Sequence, residues 1–235
     1  VWSLFAVLLV SKADVVKPGL EEAYDAYRSL RGNVNAGQTM AMPVEDLSLD
    51  CTETDSDDER SIHFAVVENV LTSTRVVGAM RLIIKSRTND GILPIEVHYP
   101  EAFTNGEAPS RSVESSRVIA RHEISKIQRG IKWMLFTAGV SYVANHALGP
   151  VYGAVEPGFA RGLQMEGLPA TVIASAKFVK EFNATKQLIR VDMDELTQKI
   201  EDDQPYLFDA IRTQEGAFVY SGVAPSTPMD EAIIA

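Results

Sequence analysis

Cysteine is nearly absent: Cys51 is the only one in 235 residues. A single thiol builds neither an internal disulfide framework nor a multi-cysteine metal site, so a reducing, cytosolic setting is the expectation. Nothing beside Cys51 offers a base, so it is read as inert. Histidine is also scarce. His63, His98, His122 and His146 stand apart at spacings that suit no zinc centre. Basic charge is in deficit, with 22 Lys+Arg against 32 Asp+Glu, a net charge of −10 and a pI near 4.9. Phosphate binding needs a basic surface, which argues against nucleic acid as the main partner. Long apolar runs are missing too. The strongest, Trp2 to Val10, falls well short of the roughly twenty residues of a membrane span. No basic run precedes it and no small-residue cleavage site follows, so it reads as a buried first strand and not as a signal peptide. No Gly-x-Gly-x-x-Gly follows a strand and no Walker lysine loop exists, so dinucleotide and P-loop readings lose support. No Gly-x-Ser-x-Gly elbow supports Ser-His-Asp hydrolysis.

What remains is an ordinary globular composition, 46% apolar and 23% charged, without repeats or low-complexity tracts. Phe5–Ser11 reads as a strand. Leu20, Ala23, Ala26, Tyr27 and Leu30 recur at helical spacing. Gly32 to Asp50 reads as loop, and Glu53 to Arg60 as a polar surface or site segment. Ile62–Glu68 and Arg75–Lys85 form an expected hairpin. Pro94 to Pro109 reads as a long connection and Ser112–Ala120 as a fourth strand. Ser125 is the expected N-cap of the longest helix, Lys126 to Leu148, closed by Gly149. Pro150–Val155 is a short strand, and Pro157 to Met165 a helix ended by Gly167. Ala170–Phe182 is expected to be one long strand and Met193–Glu201 a helix. The last thirty residues read as irregular, with a turn of helix near Leu207–Arg212. This order predicts an α/β sandwich around a mixed sheet, not a Rossmann fold or a barrel.

An ordered set of residues stands on these elements: Leu30-Arg31-Gly-Asn-Val34, Asp55-x-x-Asp58, Ser61-Ile-His63, Gly78-Ala-Met-Arg81-Leu82, Glu114-Ser-Ser-Arg117, Val155-Glu156-Pro157, Arg161 and Gly167. The set resembles that of the acyl-homoserine lactone synthases (autoinducer synthases). It resembles still more that of the N-acyl amino acid synthases and exosortase-associated acyltransferases, all in the GNAT superfamily of N-acyltransferases. The resemblance implies a GNAT-type sandwich, with a mostly antiparallel mixed sheet flanked by helices. It implies an N-acyltransferase domain over 1–190 and a helical or irregular extension over 191–235 packed on it. The implied reaction moves a medium or long fatty acyl group from an acyl carrier protein thioester to the amine of an amino acid or similar small amine. No cofactor is bound in that reading; acyl carrier protein, through its phosphopantetheine, or acyl-CoA is a co-substrate. Homoserine lactone synthases take S-adenosylmethionine as the amine. The aromatic pair expected after Arg31 is replaced by Gly32, Asn33 and Val34. The tryptophan that lines the adenosylmethionine site has no counterpart between Arg31 and Asp55. Both departures favour the amino acid branch.

Glu114 and Arg117, three apart on a strand, face opposite sides unless a bulge intervenes. The resemblance implies such a bulge, freeing main-chain N–H groups at Val118 and Ile119 to hold a thioester oxyanion. Glu114 is assigned to the ammonium and its proton; the competing reading is an ion pair with Arg81 or Arg117. Arg81 lies mid-strand in an apolar run. With Arg117 it would clamp a substrate carboxylate, or it would join Asp55 and Asp58 in a fixed network. The resemblance implies both at once, with Arg31 joining the cluster. The acids of 53–59 lack the glycine and distal glutamate of an EF-hand loop. His63 reads as a satisfied core histidine. Gln128-Arg129-Gly130 looks like a remnant of the superfamily's pyrophosphate loop. Lys126, Arg129 and Lys132 share a helix face and form a basic patch suited to an acidic carrier protein, or else a solvated face. Trp133 and Phe136 would wall an acyl tunnel or join the core. The different-class alternative is a non-catalytic carrier- or ligand-binding module.

Overall fold

The computed structural model describes residues 4–11, 25–31, 56–70, 73–85, 91–165, 167–203 and 218–221. Among these, eight strands form one sheet in the order β6-β7-β5-β4-β3-β2-β1-β8. They are β1 (Leu4–Ser11), β2 (Ser61–Val70), β3 (Ser73–Ile84), β4 (Val113–Ala120), β5 (Val151–Val155), β6 (Ala170–Val179), β7 (Ala184–Val191) and β8 (Phe218–Ser221). Every pairing is antiparallel except β4 with β5, which is parallel and covers only Val113–Val151 and Glu114–Tyr152. The helices are α1 (25–31), α2 (Pro94–His98), α3 (Ser125–Asn145), α4 (Pro157–Met165) and α5 (Met193–Asp203). The expected mixed, mostly antiparallel sandwich is what forms.

Alternation along the strands divides the interior in two. Phe64 and Val66 of β2, Met80 and Leu82 of β3 and Val113 of β4 pack under Ile131, Leu135 and Ala138 of α3. On the opposite face Ala65, Ala79 and Ile119 pack with Tyr27 of α1. α3 comes so close to β3 that a Cβ on Gly78 would stand 2.5 Å from Cγ2 of Ile131 and 3.1 Å from Cβ of Val66. The glycine is there because helix and sheet need that space.

Several boundaries differ from expectation. Ser125 is the first residue of α3, and Ile124 occupies the N-cap without a side-chain cap bond; the helix stops at Asn145, short of Leu148. The segment Ala170–Phe182 is not one strand. β6 ends at Val179, Lys180–Phe182 forms a 3-10 turn, and Asn183 at φ 43° reverses the chain into β7. β7 escaped notice because only Leu188 and Ile189 of its eight residues are buried, so it lacks a clear apolar alternation. α2 lies within the stretch read as a connection. β8 pairs with β1 inside the stretch read as irregular, so part of 191–235 belongs to the sheet. The expected turn at Leu207–Arg212, Cys51 and the loop Gly32–Asp50 lie outside the described residues. No helix among the described residues is long and apolar enough to cross a membrane.

Gly78→Ala forces Ile131 or the strand to move and is expected to cost about 1–3 kcal/mol. Urea denaturation of the variant checks this; a wild-type midpoint would show that the α3–β3 contact yields freely.

Candidate active site

β4 is the strand on which the site is built. Lys85 N donates to Ser112 O at one end of its ladder with β3, and Arg121 N donates to Val77 O at the other. Between them the register slips: Arg81 pairs with Ser116, but Ala79 pairs with Ile119. Arg117 and Val118 therefore oppose Met80 alone, and Arg117 takes φ 56°. The bulge expected between Glu114 and Ile119 is present. Alternation from the two flanking bonds gives Ser116 and Ile119 to β3, and turns the main chain of Val118 to the other side. Of the two amides expected to face a thioester, Ile119 is thus committed to the ladder and Val118 faces the cleft.

That other side is open because β5 leaves β4 after Tyr152. The wedge between them holds a cleft of about 330 Å³, lined by Glu114 to Ile119 of β4, Ala154 and Val155 of β5, and Lys132, Glu156, Phe159, Phe182 and Lys186. Two further cavities adjoin it. An outer one of about 310 Å³ lies between α3 and α4, with Gln128, Arg129, Lys132 and Trp133 on its wall. An inner one of about 90 Å³ is almost wholly apolar, and Val118, Gly139, Val155 and Leu163 line it. Phe159 borders all three. Its ring lies 6.1 Å from that of Phe136, and Lys132 Nζ stands 5.6 Å from its centroid.

Glu114 is 3% exposed. Its Oε2 accepts a 3.0 Å bond from Ile95 N of α2. Burial pushes its carboxyl up, beyond what the Ile95 amide and Arg81 offset, to about 7. Of the expected alternative, an ion pair with Arg81 or Arg117, the Arg81 form is not made, because Arg81 is engaged elsewhere. Arg81 Nη1 and Arg31 Nη1 both donate to Asp58 Oδ1, at 2.8 and 2.9 Å, and Arg81 Nε donates to Ser116 Oγ at 3.1 Å. Burial alone would raise the Asp58 carboxyl, and the two guanidinium groups overcome it and hold it below its ordinary value. His63 closes the cluster. Its Nε2 faces Asp58 O at 3.3 Å and its Nδ1 faces Tyr27 Oη at 2.9 Å. A carbonyl only accepts, so Nε2 carries the proton and Tyr27 donates to Nδ1. Burial lowers the His63 pKa to about 4, against a partial pull from Asp58.

The sequence candidates therefore separate. Glu114, Arg117, Val118 and Ile119 meet at the cleft. Arg31, Asp58 and Arg81, expected to touch substrate, line none of the three cavities; Arg81 is spent on Asp58 and Ser116 instead of a carboxylate clamp. Asp55 lies outside the described residues. Trp133 borders the outer cavity, and Phe136 borders both outer and inner ones. Arg129 and Lys132 line the outer cavity, while Lys126 is exposed beyond it. Gln128 Nε2 donates to Ala120 O at 2.7 Å and fixes the start of α3 to the end of β4. Phe159 and Lys186 were missed. Phe159 follows Pro157-Gly158 at a helix start, a detectable signal, whereas Lys186 sits on the strand that gave none.

No protein-family profile matches the chain, and no curated protein matches it by sequence. Solved structures do. The AHL synthase LasI is similar at 15% identity and a TM-score of 0.59, over 80% of this chain and 90% of that one. The CoA-dependent acyl-homoserine lactone synthase BjaI, solved with SAM and isopentyl-CoA, is similar at 16% and 0.57, over 91% and 94%. FeeM, an N-acyl amino acid synthase from uncultured soil microbes, is similar at 14% and 0.53, over 83% and 95%. The chain shares the fold of these synthases, as the sequence resemblance implied.

Two buried groups set opposing pH dependences on stability. The folded pKa of His63 lies below its ordinary 6.5, so stability is lost as pH falls from 6.5 toward 4. That of Glu114 lies above its ordinary 4.5, so stability is lost as pH rises from 4.5 through 7. Each amounts to roughly 3 kcal/mol when fully developed. Glu114→Gln is expected to unmask the His63 slope, with urea midpoints that climb between pH 4.5 and 6.5 more steeply than in the wild type; parallel curves would refute it. Asp58→Ala strands two buried guanidinium groups and is expected to cost about 3–5 kcal/mol by the same measurement.

Proposed function

We propose that the protein is an N-acyltransferase that moves a medium or long fatty acyl group from the thioester of an acyl carrier protein to the amine of an amino acid or similar small amine. One observation carries this reading. The parted β4 and β5 place a bulged main chain, a buried carboxyl with a pKa near 7 and an apolar cavity around one cleft. Amide formation from a thioester uses those three things. An acyl chain fills the apolar cavity and leaves its carbonyl at Val118, whose N–H donates a hydrogen bond to the developing oxyanion. Ionised Glu114 takes a proton from the incoming ammonium through water, and near neutral pH a substantial share of it is ionised. The neutral nitrogen then forms the C–N bond. As the C–S bond breaks, the nitrogen gives up its second proton and the departing pantetheine sulfur takes it up as a thiol.

The donor enters from the outer cavity. Arg129 and Lys132 give it a basic rim on a chain of net charge −10, which suits the single phosphate of a carrier-borne pantetheine and the acidic surface of the carrier. Acyl-CoA is the other source of the same thioester.

Mass spectrometry of mixtures holding acyl carrier proteins charged with medium and long chains, or the matching acyl-CoA, plus all proteinogenic amino acids and S-adenosylmethionine tests the proposal. N-acyl amino acids are the expected products. An acyl lactone with methylthioadenosine would move the acceptor to S-adenosylmethionine. Unchanged thioester in every mixture would favour a binding module. The carboxyl of Glu114 also sets a pH signature: kcat/KM is expected to rise through about pH 7. Glu114→Gln is expected to lose roughly tenfold or more of the rate and that limb with it. A variant that keeps the limb would remove Glu114 from the proton path.

A further inference from the structure

The cleft carries three cations, Arg117, Lys132 and Lys186, against Glu114 and Glu156. On an acidic chain this local excess of positive charge is a site for an anion. Arg117 has partners inside the protein, and Lys132 lies over the Phe159 ring at the boundary with the outer cavity, under the donor's path. Lys186 is different. It stands on β7 just beyond the level of Val155, where β5 turns into α4, and so faces the cleft across from β4. Its side chain is 14% exposed, and its ion pair, 3.3 Å to Glu156, is with a carboxylate that is 67% exposed. A pair of that kind contributes little and exchanges readily for another carboxylate. Val155 lies three residues along β5 from Tyr152, which pairs with Glu114. Lys186 is one residue beyond Gln187, the partner of Val155, and β5 lies between β7 and β4, so at the backbone it stands about 13 Å farther along the wedge than Glu114 and about two strand spacings across from it. Two extended side chains, the amino acid between them and a bridging water cover that span.

We propose that Lys186 selects the acceptor by its carboxylate, displacing Glu156, so that the substrate is a zwitterionic amino acid held with its nitrogen toward Glu114 and its anionic end toward β7. The idea rests on the acyltransferase reading and deepens it: a cation at one end and a proton acceptor at the other distinguish an amino acid from a plain amine. Arg81, locked to Asp58 and Ser116, has no part in this.

The test compares the wild type with Lys186→Gln and Lys186→Arg, supplied with acyl carrier protein thioester and either a pool of free amino acids or a pool of their methyl esters. Lys186→Gln is expected to raise the KM for free amino acids tenfold or more, with a smaller change in kcat, while the esters and the donor keep their wild-type KM. Lys186→Arg is expected to recover most of the loss. An equal loss with both pools, or a raised KM for the donor alone, would overturn the proposal. Saturation-transfer NMR with the free amino acids and no donor separates the two readings. Should the wild type acylate nothing, the acyltransferase reading fails while this arm still decides: transfer that disappears in Lys186→Gln supports the carboxylate site, and transfer unaltered or absent in the wild type overturns it.

Discussion

One oxygen atom holds the interior of this protein in place. Oδ1 of Asp58 receives Arg31 from α1 and Arg81 from β3, and both guanidinium groups are almost wholly buried. Two buried cations require a buried anion, and the anion in turn is kept charged by them. The consequence runs beyond the cluster. Because Arg81 is oriented by Asp58, its Nε is aimed at Ser116, the last residue of β4 before the ladder slips. The bulge therefore begins at a residue pinned from beneath.

From that point geometry does the rest. A strand that carries two residues against one bends, and a neighbour aligned parallel to its first residues diverges beyond the bend. β5 departs after a two-residue match and passes directly into α4. Phe159, in the first turn of that helix, is swung to where the outer, central and inner cavities meet. Gln128 anchors the start of α3 to Ala120 at the far end of the same bulged strand. The walls of the proposed donor path thus come from the two helices that follow β4 and β5, and their placement descends from one irregularity in the sheet.

Much of this was legible in the residues. Strongly periodic segments such as α3, α4 and the β2–β3 hairpin appear close to where spacing put them, and the buried polar positions Arg31, Asp58, His63, Arg81 and Glu114 are conspicuous because such residues rarely sit among apolar neighbours without a purpose. Roles were harder to read than positions. Arg81 looks equally suited to a substrate carboxylate and to a structural one until the distance to Asp58 is known. Ile119 and Val118 are indistinguishable until the ladder's parity assigns one amide to β3. β7 is half exposed and polar at alternate and at adjacent positions, so neither its existence nor the location of Lys186 could be inferred from periodicity.

Asp58 and Glu114 are equally buried carboxyls on the same face of the sheet, yet their acidities move apart. Two guanidinium groups hydrogen-bonded to Asp58 outweigh its desolvation. Glu114 has one main-chain amide and more distant charges, and its desolvation prevails. Paired environments of this kind divide labour: a carboxylate whose acidity its guanidinium partners strengthen serves as a strut, and one poised near neutrality is able to accept and release a proton. The arrangement also explains why the cluster cannot substitute for the site. Near Asp58, Arg31 Nη1, Arg81 Nη1 and Arg81 Nε are committed to Asp58 and Ser116, and the proposed chemistry sits one strand over, at the cleft that Glu114 and Val118 line.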